Sequence, residues 1–512
     1  MEDAKNALPE AGLVKCAENP EKITESSGKN RMLLAATLAV CILAVDTVLF
    51  SSPGLGVTVT VLAWYALTAA ALGPGCFRRG EGQFLLAVNV LLAASFTVQS
   101  NWYFRIWNLE ALAVLVPIHL FALAGTARRP WWDPSMLWER AGLLFRGLFG
   151  SLGAAGAAAA GKKRRGKRIW AGALGILGAA VLVGILLPVL ASADALFASV
   201  TQSFLDFCRA HLTEGLIRVL LGLGLTPFAF GLLWSLRYPR EREAKPERPK
   251  KTADALPFLI LLAALDLLYL LFLAVQGAGL AGGAAYLARR GISYADWARS
   301  GFFQMVGVTA VNLTVTLAAL HWSARKNGGR GALRPLATLL TAESLALLAS
   351  AAWRMSLYVH AYGLSFKRAM TYWGMAMMGI FLAAALAAVW RPTFRFCRTA
   401  FLAALIGWAA VSCVPVSAMV ARDSVSRYLD GRSAAVDVAY LTAGDLGFGA
   451  LGPLSKLDTG KESRVYVPGG VMGQAQFRLL LEEGRQRAAA ECRSWESWNL
   501  SAYLASRGEK GK

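Results

Sequence analysis

Apolar residues along this chain run in blocks near twenty residues long, and the charged residues collect in the shorter segments between them. A block of about 20 apolar residues is what an α-helix needs to cross the hydrocarbon of a bilayer. About eleven such blocks can be read, at 32–50, 54–73, 83–100, 107–125, 169–190, 215–236, 255–276, 302–321, 336–353, 370–390 and 399–419. Backbone in lipid must pair with itself, so a run of such blocks predicts helices. The expected fold class is all-α, a polytopic transmembrane helical bundle with a small, mostly helical extracytoplasmic C-terminal tail. The third and ninth blocks are the shortest, and the fourth carries Asn108, Glu110 and His119, so the count is eleven give or take one.

The connections set the orientation. Lys and Arg concentrate in residues 1–31 and in the even-numbered connections, and basic connections stay on the cytoplasmic side. This places the N-terminus in the cytoplasm and, after an odd number of crossings, the tail outside. The expected organisation is a cytoplasmic segment at 1–31, four spans at 32–125, a cytoplasmic connection at 126–168, seven spans at 169–419 and the tail at 420–512. Within 126–168, residues 135–152 read as an interfacial helix. The Ala/Gly run after them leads into Lys162, Lys163, Arg164, Arg165, Lys167 and Arg168, a flexible basic strip suited to anionic lipid heads. Residues 237–251 form a second strip. The first thirty residues are polar and mixed in charge, unlike a cleavable signal peptide, so the first span is expected to be an uncleaved anchor. In the tail, 420–441 reads as an amphipathic helix, 444–452 as a Gly-rich break and 471–506 as helix again.

Composition agrees with this picture and excludes others. The chain has 512 residues, is 56% hydrophobic and only 17% charged, which a water-soluble protein would not carry. The formal net charge of +21 lies mostly between apolar blocks, so no nucleic-acid partner is expected. Seven cysteines show no zinc or disulfide spacing, and His119, His211, His321 and His360 are scattered, so no metal and no cofactor are expected. Gly161 to Arg168 mimics the spacing of a phosphate-binding loop, but Arg168 replaces the magnesium-binding hydroxyl and no strand precedes it.

Two groups of residues could carry function. Asp266 lies mid-way along the seventh block and Glu343 inside the ninth; an ionisable group near the bilayer centre costs about 2.5–3.5 kcal/mol and asks for a partner or a wet path. They read either as a proton or cation relay or as protonated groups bonding across helices. Asp46, Asn89, Glu110, His119 and Asn312 are less central or uncharged. The second group lies in outward connections that are unexpectedly basic: Arg289, Arg290 and Arg299 in 277–301, and Arg354, Tyr358, Tyr362 and Arg368 in 353–369. Basic groups among aromatics suit an anionic ligand, such as a lipid phosphate, a polymer or an acidic peptide; an interfacial aromatic belt with snorkelling arginines explains them equally. Gly172, Gly175 and Gly178 form a small-residue face for a homodimer or for an intramolecular contact.

The run Tyr286-Leu-Ala-Arg289-Arg290-Gly291, continuing through Tyr294, Arg299 and Gly301 to Gln304 and then Asn312, resembles a segment of a bacterial integral-membrane family catalogued as a domain of unknown function, the 4153/4173 group. Arg354 to Leu364 resembles it too, as do Arg427-Tyr428 through Asp437, Tyr440-Leu441 and Asp445, and the terminal Trp495 to Ser501. The likeness covers about 170–503, while the first four blocks match less clearly. It departs at Ser424 and Ser426, where Asn-like residues are expected. The resemblance implies a multi-pass protein of the bacterial inner membrane, and no activity, cofactor or catalytic residue.

No catalytic residue can be assigned. The expected function is therefore non-enzymatic: a sensor or scaffold of the cell envelope that binds an anionic ligand, protein or polymer on its outer face. A transporter or channel-like component using Asp266 and Glu343 is the first alternative, and an envelope enzyme acting on a lipid-linked substrate the second.

Overall fold

The computed structural model describes residues 28–78, 80–127, 129–130, 133, 135–160, 192–211, 214–239, 254–289, 291, 302–322, 329–391, 393–442, 444–457 and 464–508, with scattered positions between 175 and 190. In chain order the helices are α1 (Gly28–Val45), α2 (Leu55–Leu72), α3 (Gly80–Val98), α4 (Trp102–Leu123), α5 (Met136–Gly150), α6 (Leu152–Ala160), α7 (Ala195–His211), α8 (Glu214–Arg237) and α9 (Leu256–Arg289). After them come α10 (Phe302–Trp322), α11 (Gly329–Tyr362), α12 (Phe366–Trp390), α13 (Phe396–Cys413), α14 (Val416–Leu429), α15 (Val438–Thr442), α16 (Leu451–Leu454), α17 (Gln474–Glu491) and α18 (Leu500–Arg507). A two-stranded antiparallel hairpin, β1 (Arg464–Val467) and β2 (Gly470–Gly473), precedes α17.

Among the described residues nine helical segments are long and apolar enough to cross a membrane, as in a multi-pass membrane protein, and two shorter apolar helices are present at Gly82–Val98 and Val306–Trp322. Ten of the eleven expected spans coincide with these helices; the fifth, 169–190, and the two basic strips lie wholly or mostly outside the described residues. One candidate span, Met136–Ala159, falls where an interfacial helix and a flexible Ala/Gly strip are expected. The Ala/Gly part of the first strip is corrected: Leu152–Ala160 is helical, because alanine is the strongest helix former and outweighs two glycines, while its basic part lies outside the described residues.

The described residues divide into two compact units. One draws on Met1–Asp46, Ala63–Gly75 and Ala141–Arg240. In it α1 packs along α8, and α6 packs on both, around Leu33, Leu67, Ala71, Ala155, Ala158, Phe230 and Leu233. Gly222 allows the close approach of α1 and α8: a Cβ there would stand 2.5 Å from Cγ1 of Ile42 and 3.0 Å from its Cα. Asp46, one of the charged residues expected in a span, has a partner here in Arg218 at 3.1 Å.

The other unit draws on Thr47–Leu62, Cys76–Arg140 and Glu241–Lys512. One set of its helices is α3, α4 and α13, packed around Val88, Leu92, Phe96, Leu112, Leu115 and Ala409. Another set is α9 to α12, in which α11 touches each of the other three. At 34 residues, α9 and α11 are each about 50 Å long, longer than the roughly 30 Å hydrocarbon layer, so they extend well beyond it. The tail has its own core of Val420, Val425, Leu441, Leu454, Phe477, Leu481 and Ala502, into which Phe104 of α4 inserts.

The tail is fastened by backbone as well as side chains. Leu55 and Gly56 donate their amides to the carbonyls of Trp498 and Glu496, each at 2.9 Å. Gly447 has φ +64°, and a Cβ there would meet the backbone of Ser100 at 2.5 Å, so both conformation and space require glycine. These contacts place the start of α2 and the end of α3 at the tail; Arg105, paired with Glu491, brings the start of α4 there, the Leu364 and Phe366 amides, bonded to Asp423 and Tyr440, bring the end of α11 and the start of α12, and α13 ends directly before α14.

Candidate intramembrane site

Three helices bring the site together. On α9, Leu262, Asp266 and Tyr269 fall on one buried face by their spacing of four and three, while Leu267, Leu268, Leu270 and Leu271 are exposed on the rest of the circumference. On α10 the buried face carries Thr309, Asn312, Thr316 and Ala319, and on α11 it carries Ala337, Leu340, Thr341, Glu343, Ser344 and Leu347. Small and hydroxyl-bearing residues let the helices approach closely and bond across the seam.

Asp266 and Glu343 are each 3% exposed and stand within hydrogen-bonding reach of one another. Among the described residues no other donor reaches either carboxyl group. Two ionised carboxyl groups present acceptors only, so a hydrogen bond between them needs a proton on one. Asp266 lies about 15 Å along α9 from its start, and Glu343 about 21 Å along α11, both well inside their helices. Around them Asn312 donates its amide to Ser344 Oγ at 2.9 Å, and Ser344 Oγ donates to the Leu340 carbonyl at 2.7 Å. Tyr269 lies beside Asn312 and within electrostatic reach of Glu343. The arrangement can hold one proton between two carboxyl groups in a seam of hydroxyls and amides.

Sequence reading singles out both carboxylates and Asn312, but not their association, nor Tyr269, Thr309, Thr316, Thr341 and Ser344. The available signal was polar residues at helical spacing inside apolar blocks: 266 with 269, and 309 with 312 and 316.

The second expected group is only partly described. Arg290 and Arg299 lie outside the described residues, as does the side chain of Arg289, although α9 runs to that position. Arg354, Tyr358 and Tyr362 stand on α11, which runs through half of the expected connection, and Arg354 is 5% exposed. Arg368 lies over the Tyr358 ring at 4.3 Å, and Tyr358 stacks near Tyr362 at 4.9 Å. Arg368 also donates to the carbonyls of Tyr362, at 3.2 Å, and Gly363. Arg427 of α14 donates to the carbonyls of His360 and Ala361 at 2.7 and 3.1 Å. The last carbonyls of a helix have no partner within it, and cations favour that end. Arg368 and Arg427 thus finish α11, and Gly363, at φ +79°, turns the chain into α12. The structure brings Tyr358, Tyr362 and Arg368 together and uses them at this turn.

No metal-binding group of His, Cys, Asp or Glu occurs among the described residues. No curated protein and no solved structure matches the chain. One family pattern does, over residues 86–457, a range that contains the whole three-helix seam, the α11–α12 turn and the first part of the tail. With well over half its length matched, the chain belongs to the family described as Domain of unknown function (DUF4153).

Proposed function

We propose that this protein is a proton- or cation-coupled membrane component in which Asp266 and Glu343 form the exchanging site. The observation that carries the reading is the pairing of two almost fully buried carboxyl groups from neighbouring apolar helices, with no basic partner for either among the described residues. As a purely structural device such a pair is poor, since a hydroxyl or amide pair would join the helices at lower cost. As a carrier it is apt: gaining or losing one proton changes the charge of the seam and the attraction between α9 and α11. Movement of α11 against α9 would then expose the pair to one side of the membrane.

In this reading the membrane is a bacterial cytoplasmic one, the N-terminus is inside, the tail is outside and the basic connections meet anionic lipid. Arg391 and Arg395, between the end of α12 and the start of α13, and Arg398, in the first turn of α13, lie at the helix ends away from the tail, which supports that orientation. An envelope sensor is the second reading; it is favoured by the separately cored tail, whose surface is available to a partner.

The test places single cysteines by Asp266→Cys and Glu343→Cys in a chain freed of its native cysteines. A membrane-impermeant thiol reagent is then applied from each side of sealed vesicles. Labelling from one side, changing with pH, is the expected result. Protection of both positions under all conditions would overturn the exchanging site.

A further inference from the structure

Away from the carboxyl pair, α4 presents a face on which Tyr103, Trp107, Glu110, Ala111 and Val114 follow at spacings of four, three, one and three, and Trp408 of α13 closes the side of a groove of about 470 Å³. Its walls are almost wholly apolar. The rings are held in place: the Trp408 indole N–H donates to Asn108 Oδ1 at 2.8 Å, and Tyr103 lies 6.1 Å from Trp107, 6.4 Å from Trp408 and 5.3 Å from Phe366.

Glu110 is exposed in this groove, and among the described residues nothing in the protein bonds to its carboxylate. A carboxylate on the outer face of a membrane-crossing helix is costly unless a cation meets it. Its depth fits such a meeting. Arg105, five residues earlier on α4, is bound to Glu491 of the tail, so Glu110 lies only about 7–8 Å further along the helix. With the tail at the outer membrane surface, as in the proposed orientation, that depth falls in the zone of lipid headgroups and upper acyl chains. Three aromatic rings beside one carboxylate are the surroundings that attract an ammonium group, through ring faces and charge together. The open apolar strip at Ala111 and Val114 continues from there toward the membrane interior, where an acyl chain would lie.

We propose that this groove binds a phospholipid whose headgroup carries an ammonium, of the phosphatidylethanolamine class, with the ammonium between Glu110 and the rings of Trp107, Tyr103 and Trp408. An anionic lipid would set its charge against Glu110. The site is therefore selective against the lipids that the basic connections attract.

The full chain, reconstituted in vesicles of equal phosphatidylethanolamine and phosphatidylglycerol, is extracted mildly and its retained lipids are weighed by mass spectrometry. The expected result is severalfold enrichment of phosphatidylethanolamine, falling to the bulk ratio in Glu110→Gln. Glu110→Gln keeps size and breaks no bond among the described residues, and Glu482→Gln, an exposed carboxylate of the tail, serves as the control that should leave the enrichment unchanged. Retention at the bulk ratio by the unaltered protein, enrichment that survives Glu110→Gln, or preference for phosphatidylglycerol would each overturn the assignment. So would a dimer that Glu110→Gln dissociates, since a second copy would then occupy the groove.

Discussion

Around Asn108 of α4 donors and acceptors are matched one to one. Its amide donates to Ser95 Oγ at 2.7 Å, while its carbonyl accepts from Trp408 Nε1 at 2.8 Å and Ser412 Oγ at 3.1 Å. Gln99 reaches the Ser412 carbonyl, and Asn101 donates to Ser417 Oγ at 2.9 Å. Around Asp266 and Glu343, in the same unit and equally buried, the four carboxyl oxygens meet no donor among the described residues. Satisfied polar networks fix one arrangement of helices, whereas unmatched acceptors leave the arrangement sensitive to whatever supplies the missing donor. The difference separates a seam whose matched bonds fix α3, α4 and α13 together from the carboxyl seam, on whose missing donors the proposed response to a proton rests.

The comparison breaks most readily at the tail. Arg105 forms a two-point pair with Glu491, at 3.3 and 3.1 Å, and Asn499 donates to the same carboxylate at 2.9 Å; Arg105 is 7% exposed and Glu491 19%. Arg105→Ala leaves a mostly buried carboxylate without its cation and should cost about 3–5 kcal/mol. Thermal unfolding in detergent should fall accordingly, and the tail should become open to protease; an unchanged melting temperature would show that the pair does not anchor it. Asn108→Leu, which strands the Trp408 and Ser412 donors, should cost about 2 kcal/mol in the same assay.

The apolar blocks made most of this architecture legible, since helices in lipid need only length and hydropathy, and ten expected spans coincide with helices. Less visible were features that depend on what lies across a seam. The sequence marks Asp266 and Glu343 as costly, but nothing in one chain's order tells that α9 and α11 bring them face to face. Arg354 and Arg368 read as members of a basic platform because exposure was assumed from the connection they occupy; α11 in fact extends to Tyr362, burying Arg354 and giving Arg368 carbonyls to cap. The hairpin before α17 escaped because four-residue strands around Gly469 carry too little pattern to stand out.

Removing charge from the responsive seam should have the opposite sign from breaking the matched one. Asp266→Asn supplies an amide donor to Glu343, and Glu343→Gln does the same for Asp266, so each should be neutral or stabilising by about 1 kcal/mol. Unfolding temperatures should stay level or rise, while pH-dependent labelling at the seam should disappear. A loss as large as that of Arg105→Ala would place the carboxyl pair among the structural contacts and end its distinction from the Asn108 network.

The smallest effect concerns Asp133, ahead of α5, where a carboxylate is matched as fully as Asn108 is. Partial burial works against its charge, but the Ser135 hydroxyl and amide, at 2.5 and 2.9 Å, and Arg129, at 3.5 Å, outweigh it and hold its carboxyl below the usual range. A depressed carboxyl contributes stability that is present above its unfolded value, about 3.9, and lost as pH falls through its folded value. The turn ahead of α5 should therefore loosen only in strong acid, with faster hydrogen exchange at the Ser135 amide. Asp133→Asn keeps an oxygen for Ser135 but cannot titrate, so its exchange should show no such acid step. If the step persisted in Asp133→Asn, another acid would control the turn, and matching around Asp133 would have no bearing on how this protein answers to pH.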